Sequence, residues 1–138
     1  MELKLELVIV PVADVDRAKA FYAERAGFRV DVDHRSGDEF RVVQLTPPGS
    51  VCSIAIGTGI TDADAGSVRG LHLVVSDIVA ARDGLAGRGV EVSGVRHLEG
   101  GAWSEGPHPQ RQDYNSFADF TDPDGNTWLL QERGFPAA

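Results

Sequence analysis

Apolar residues recur along this chain with two different periods, and the switches between them mark out its elements. Residues 3–12 are aliphatic and β-prone, which predicts a strand. From Asp14 the spacing changes. Val15, Ala18, Phe21, Tyr22 and Ala26 fall on one helical stripe, and Gly27 supplies the stop. Asp14 suits the N-cap because its carboxylate accepts orphan backbone N–H groups and sits well against the helix dipole. Strand-like runs follow at 28–33, 40–46 and 51–56, split by Ser36-Gly37-Asp38 and Pro47-Pro48-Gly49 turns.

The second half repeats the plan. Residues 70–75 read as a strand, Asp77 as a cap, Ile78, Ala81 and Leu85 as the helical stripe, and Gly89 as the stop. A shift of 63 positions places Asp14 on Asp77, Ala18 on Ala81, Ala23 on Ala86 and Arg25 on Arg88. Runs at 90–98, 116–121 and 126–131 complete the set, the last two joined as a hairpin by Asp122-Pro123-Asp124-Gly125-Asn126. The expected fold class is α+β: two βαβββ modules in tandem, at 1–57 and 70–138, with a linker at 58–69. Together they form one compact domain of curved mixed sheets around a cavity, with helices outside.

Three stretches carry a family resemblance. They are Val12-Ala13-Asp14-Val15-Asp16-Arg17-Ala18-Lys19-Ala20-Phe21-Tyr22 with Gly27-Phe28, then Val75-Ser76-Asp77-Ile78, then Phe120-Thr121-Asp122-Pro123-Asp124-Gly125-Asn126-Thr127-Trp128. In this order they resemble the vicinal oxygen chelate superfamily, which includes glyoxalase I, extradiol dioxygenases and bleomycin resistance proteins. The resemblance spans nearly the whole chain. Its motifs are caps, stops and turns, so function has to be argued from the cavity wall.

Composition narrows the field. At 138 residues, 42% hydrophobic and 25% charged, the chain is ordinary globular material. Its net charge of −8, with no Lys/Arg cluster, argues against nucleic acid as a partner. Cys52 is the single cysteine, which excludes an intrachain disulfide and a thiolate cluster. No apolar run is long enough for a membrane span, and no signal peptide pattern opens the sequence, so the expectation is a cytoplasmic protein.

The resemblance implies one divalent ion held by His, Gln or Glu side chains on the inner strands. The usual first-strand ligand lies seven residues before each capping Asp, which here gives Leu7 and Gly70. The usual last-strand glutamate lies four residues after the turn glycine, which gives Leu129, and the fourth strand near Cys52 offers no carboxylate. None of these side chains is an oxygen or imidazole donor. The expectation is therefore no metal and no cofactor.

Strand parity assigns the wall. Leu5, Leu7 and Ile9 share a face with Gly70, His72 and Val74, and Thr127, Leu129 and Gln131 share it on the last strand, leaving Trp128 and Leu130 for the helix side. His72 has two readings: a general base or ligand contact, or a histidine satisfied by Gln131 or a backbone carbonyl. His34 and His97 are expected to be solvated. On 40–46 the inward face is undecided; Arg41 is expected to be exposed, since a buried Arg41 would need an anionic ligand or a carboxylate such as Asp119. Residues 99–115, with Trp103, His108, Arg111, Asp113 and Tyr114, read as a long loop serving as a lid or a dimer contact.

The function expected is metal-free binding of a hydrophobic or aromatic small molecule, such as an antibiotic, as the resemblance to bleomycin resistance proteins implies. The residues expected to contact it are Leu7, Ile9, His72, Trp103, Tyr114, Phe117, Leu129 and Gln131. The alternative is a lyase, isomerase or dioxygenase, metal-dependent or using His72 as its catalytic group. The resemblance also implies a homodimer.

Overall fold

The computed structural model describes residues 1–136; positions 137 and 138, assigned above to the second module, lie outside the described residues. The fold is α+β, with two mixed sheets of four and five strands and two helices. The chain divides into two compact units, Met1–Val68 with Asp122–Asn126, and Arg69–Thr121 with Thr127 onward.

The first unit holds β1 (Leu7–Ile9), α1 (Val15–Ala20), β2 (Arg29–Ser36), β3 (Phe40–Thr46) and β4 (Ser53–Thr58). A π-helical turn over Phe21–Arg25 extends α1. The sheet order is β1-β4-β3-β2, with β1 parallel to β4. Asp14 caps α1 by accepting the N–H of Arg17 at 3.0 Å. Val15, Ala18, Phe21 and Tyr22 are buried on the predicted stripe. Beneath them lie Val43, Leu45, Ile54 and Ile56, all at most 3% exposed. At roughly 25 cal/mol per Å² of apolar surface, such burial is the main term holding helix to sheet.

Arg41 corrects the sequence reading. It lies on the helix face and is only 8% exposed. Asp33 grips it with both carboxylate oxygens at 3.0 and 2.9 Å, and Asp16 of α1 adds a contact at 2.7 Å. Lys19 also donates to Asp33, at 2.7 Å. The partners are thus Asp33 and Asp16, not Asp119. This settles β3: Arg41, Val43 and Leu45 face the helix, leaving Phe40, Val42 and Gln44 on the opposite face.

The Asp122–Asn126 turn is more than a turn. Asp122 is 4% exposed and Asn126 is fully buried, both inside the first unit. One Asp122 oxygen accepts the backbone N–H groups of Asp124 and Asn126; the other accepts the Tyr22 hydroxyl and the Asn126 amide, both at 2.7 Å. Asn126 also donates to the Pro11 carbonyl at 2.8 Å and accepts from the Val68 N–H at 3.0 Å. Gly66 packs against this turn at φ +79°, where an added Cβ would stand 2.1 Å from the Asp124 carbonyl oxygen. Only glycine fits there.

The second unit holds β5 (Leu71–Val75), α2 (Ile78–Gly87), β6 (Arg96–Glu99), β7 (Ala102–Glu105), β8 (Phe117–Thr121) and β9 (Thr127–Glu132), in the order β5-β9-β8-β6-β7. Without β7 this order repeats that of the first sheet. Asp77 caps α2 through the Ala80 N–H at 3.1 Å. Phe120 and Trp128, register partners on β8 and β9, stack with ring centroids 6.0 Å apart.

Two expectations change in this unit. The run at 90–98 is a strand only from Arg96, with an isolated bridge from Val92 to Phe120 before it. Residues 99–115 are not one loop, because Gly100 and Gly101, both at positive φ, turn the chain into the β6–β7 hairpin.

The carboxylate of Asp33 is held well below its ordinary value of 3.8, first by hydrogen bonds from Arg41 and Lys19 and then by their charge. A depressed folded-state value means the stabilisation is complete above the unfolded value and is lost as pH falls through and below it. Urea unfolding of the wild type should therefore weaken from pH 5 to pH 3. Asp33→Asn should start less stable at pH 7 and lose less over the same range; equal slopes would refute this account of the cluster.

Candidate functional site

One helix covers one face of each sheet; the opposite face of the second sheet is open, whereas that of the first is mixed, with Ile9 exposed but Thr46, Ser53 and Ala55 buried. In the first unit that face carries Leu7 and Ile9 of β1, the latter 38% exposed. Ser53 and Ala55 are their register partners on β4, with Val42 and Gln44 beyond on β3.

In the second unit the open face is assembled across five strands. The register sets His72 opposite Leu129, Val74 opposite Gln131, Phe117 opposite Gln131 and Asp119 opposite Leu129. Arg96 lies opposite Phe117, and Leu98 opposite Trp103. Alternation puts Trp128, Leu130 and Glu132 on the helix side, none more than 3% exposed, while Thr127, Leu129 and Gln131 are half-buried. Trp103 and Phe117 meet edge to face, with centroids 5.5 Å apart and planes at 83°. Trp103 remains 55% exposed, Val74 57% and Leu98 40%, so the face is rich in unsatisfied apolar surface.

His72 is exposed, and its Nδ1 lies 2.6 Å from the Gly70 carbonyl oxygen. A carbonyl only accepts, so Nδ1 carries a proton, and in the neutral ring Nε2 is the acceptor. Gln131 does not serve His72; its amide donates to the Tyr114 carbonyl at 3.2 Å. His97 departs from expectation. It is 4% exposed on the helix side, donating from Nδ1 to the Gly106 carbonyl at 2.8 Å.

Tyr114, 50% exposed, stands on a segment that is clamped rather than loose. Arg111 donates to both oxygens of the fully buried Glu132, at 2.9 and 2.7 Å, and its guanidinium lies 3.6 Å from the Phe135 ring centroid. Glu132 also accepts the Ile78 N–H at the start of α2, and its backbone carbonyl accepts from Tyr114. Arg111 and Tyr114 both hold positive φ, 51° and 64°, a strained conformation for non-glycine residues that this clamp maintains.

The structure thus brings Trp103, Phe117, His72, Leu129 and Gln131 onto one face, with Tyr114 tied to Gln131 through its backbone. Leu7 and Ile9 stand on the mixed face of the other unit. The face that bears Trp103 and Phe117 also carries Arg96 and Asp119, which the sequence reading did not place there. Asp119 was reachable, being two residues from Phe117 on the same strand. Arg96 was not, because its place depends on the β6–β8 register.

The residues do not fit the divalent ion that the resemblance implies. Leu7, Gly70 and Leu129 offer no side-chain donor, and among the described residues no group of three or more His, Cys, Asp or Glu side chains is placed to hold a metal.

A model of the Glyoxalase/Bleomycin resistance protein/Dioxygenase superfamily matches residues 4–130. TnmS3, an antibiotic binding protein from Streptomyces sp. CB03234, is 31% identical with a TM-score of 0.72, covering 95% of this chain and 96% of its own. A glyoxalase/bleomycin resistance protein from the same organism is 32% identical with a TM-score of 0.69, covering 93% and 99%. The uncharacterized protein YetH of Bacillus subtilis (strain 168) is 27% identical over 127 residues, 91% of this chain and 94% of YetH.

Removing Arg111 leaves the Glu132 charge buried without its main partner, a loss on the order of 3–5 kcal/mol. Arg111→Ala should lower the urea midpoint accordingly and expose the 106–115 backbone to hydrogen exchange. An unchanged midpoint would mean the clamp carries no stability.

Proposed function

This chain belongs to the Glyoxalase/Bleomycin resistance protein/Dioxygenase superfamily, and from that premise we propose that it is a metal-free binding protein that sequesters a hydrophobic or aromatic small molecule, such as an antibiotic. The observation that carries the reading is the open face of the second sheet. It presents Trp103 and Phe117 packed edge to face, with His72 and Gln131 as polar points on the same face and Leu129 where the resemblance places a metal-binding glutamate. Apolar walls with a few polar groups are the usual make-up of a small-molecule site. The antibiotic-binding description of TnmS3 supports the same direction.

The ligand set we assign is Leu7, Ile9, His72, Trp103, Tyr114, Phe117, Leu129 and Gln131. The exposed apolar side chains on the faces turned from the helices also support a homodimer, in which a second copy covers what the ligand does not. Among the described residues no helix is long and apolar enough to cross a membrane, and the lone cysteine fits a reducing cytoplasm.

The competing enzymatic reading rests on His72, whose free Nε2 could act as a base. Two measurements separate the readings. Protein purified without chelators should contain less than about a tenth of an equivalent of nickel, zinc, iron or manganese, since an unsupported ion is held weakly. A panel of aromatic antibiotics should quench tryptophan emission, and Trp103→Ala should weaken binding about tenfold or more, the usual loss for a central aromatic anchor. Stoichiometric metal, or substrate turnover abolished by His72→Ala, would replace this proposal with a catalytic one.

A further inference from the structure

Beside the aromatic corner stands a charged pair that the fold leaves largely unused. Arg96 projects from β6 with its guanidinium 5.0 Å from the Trp103 ring centroid. Its Nη1 lies 3.4 Å from both Ser93 Oγ and Asp119 Oδ1, the long limit of hydrogen bonding. Its other N–H groups have no protein partner among the described residues. Asp119 is 52% exposed at its side chain, and its second oxygen is likewise open. An exposed pair this long contributes little to stability, so a ligand can come between its members at low cost. On the helix side the fold saturates its charges, as Arg41 and Arg111 demonstrate. The contrast singles out Arg96 and Asp119.

We propose that Arg96 and Asp119 select the ligand of this face, and that its class is an uncharged planar ring whose edge carries a hydrogen-bond acceptor beside a donor, as in an aromatic carboxamide. The inference rests on the binding reading above and adds to it the chemistry of recognition. Trp103 and Phe117, packed edge to face, give this face an aromatic surface against which a flat ring can lie. Arg96 lies opposite Phe117 in register and Asp119 follows two residues along the same strand, so donor and acceptor flank the ring's edge together. The guanidinium only donates and the carboxylate only accepts, which matches a carbonyl oxygen and an N–H or O–H respectively. A full anion would face Asp119 in a chain of net charge −8, and a full cation would face Arg96. A neutral edge meets neither repulsion.

Four near-isosteric probes decide the matter: benzamide, benzoate, benzamidinium and toluene. Binding is read from the indole N–H resonances of the two tryptophans, where Trp128, buried and stacked on Phe120, reports that the fold is intact. Benzamide should shift the Trp103 resonance with an affinity about tenfold above the other three, the scale of a hydrogen bond to a charged group. Arg96→Met should reduce benzamide to the level toluene shows in the same variant, and Asp119→Leu should do the same. Equal affinity for benzamide and toluene, or a preference that survives Arg96→Met, overturns this inference and leaves aromatic binding standing. Preference for benzoate or benzamidinium also overturns it, in favour of charge selection. If no probe moves Trp103 while the antibiotic panel also fails to bind, the site is not a ligand face and both readings fall.

Discussion

A strand has two sides and each unit of this protein has one helix to cover them. That limit organises everything else. Because side chains alternate with a period of two, the residues beneath the helix are fixed as a set, and so are those turned away from it. In the second sheet Trp128, Leu130 and Glu132 are buried while Thr127, Leu129 and Gln131 remain partly accessible. A slip of one residue would exchange the two sets, burying Gln131 under α2 and exposing Trp128. The packing that stabilises the helix side therefore dictates which side chains the open side presents.

The helix side is not uniformly apolar, and its polar residues are instructive. Arg41, Glu132 and Asp122 are each buried, and each is met by partners that fill most of its hydrogen-bonding capacity. Leaving any of them unpaired would be costly, so only one arrangement of neighbouring elements is tolerated. Arg41 reaches from β3 to both β2 and α1. Glu132 joins the end of β9 to the first turn of α2 and to the segment bearing Tyr114. These contacts explain how a strained segment such as 111–114 keeps one shape.

Much of the fold was legible in the sequence because the deciding interactions are local. Asp14 and Asp77 announce helix starts, Gly27 and Gly89 announce stops, and all four act as the spacing predicts. Alternation gave the two faces of β9. What escaped reading depends on partners distant in the chain. No local pattern reveals that Asp33 of the neighbouring strand and Asp16 of α1 close around Arg41. His97 hides on the covered side of β6 for the same reason. The β6–β7 hairpin is a different kind of miss: Gly100-Gly101 between two short runs was a usable turn signal, overlooked because the runs are only four residues each. Of the proposed site, the aromatic and apolar members come from the sequence pattern, whereas Arg96 joins their face through a strand pairing that no local pattern encodes.

The placement of Asp122–Asn126 has a bearing on how the molecule can be taken apart. The repeat along the sequence suggests two interchangeable halves, yet the first unit is completed by five residues contributed from near the far end of the polypeptide. A fragment ending at Val68 would lack Asp122, which accepts from the Tyr22 hydroxyl, and would keep only the Gly66 N–H of the two donors to the Pro11 carbonyl. No single cut of the backbone yields two intact pieces.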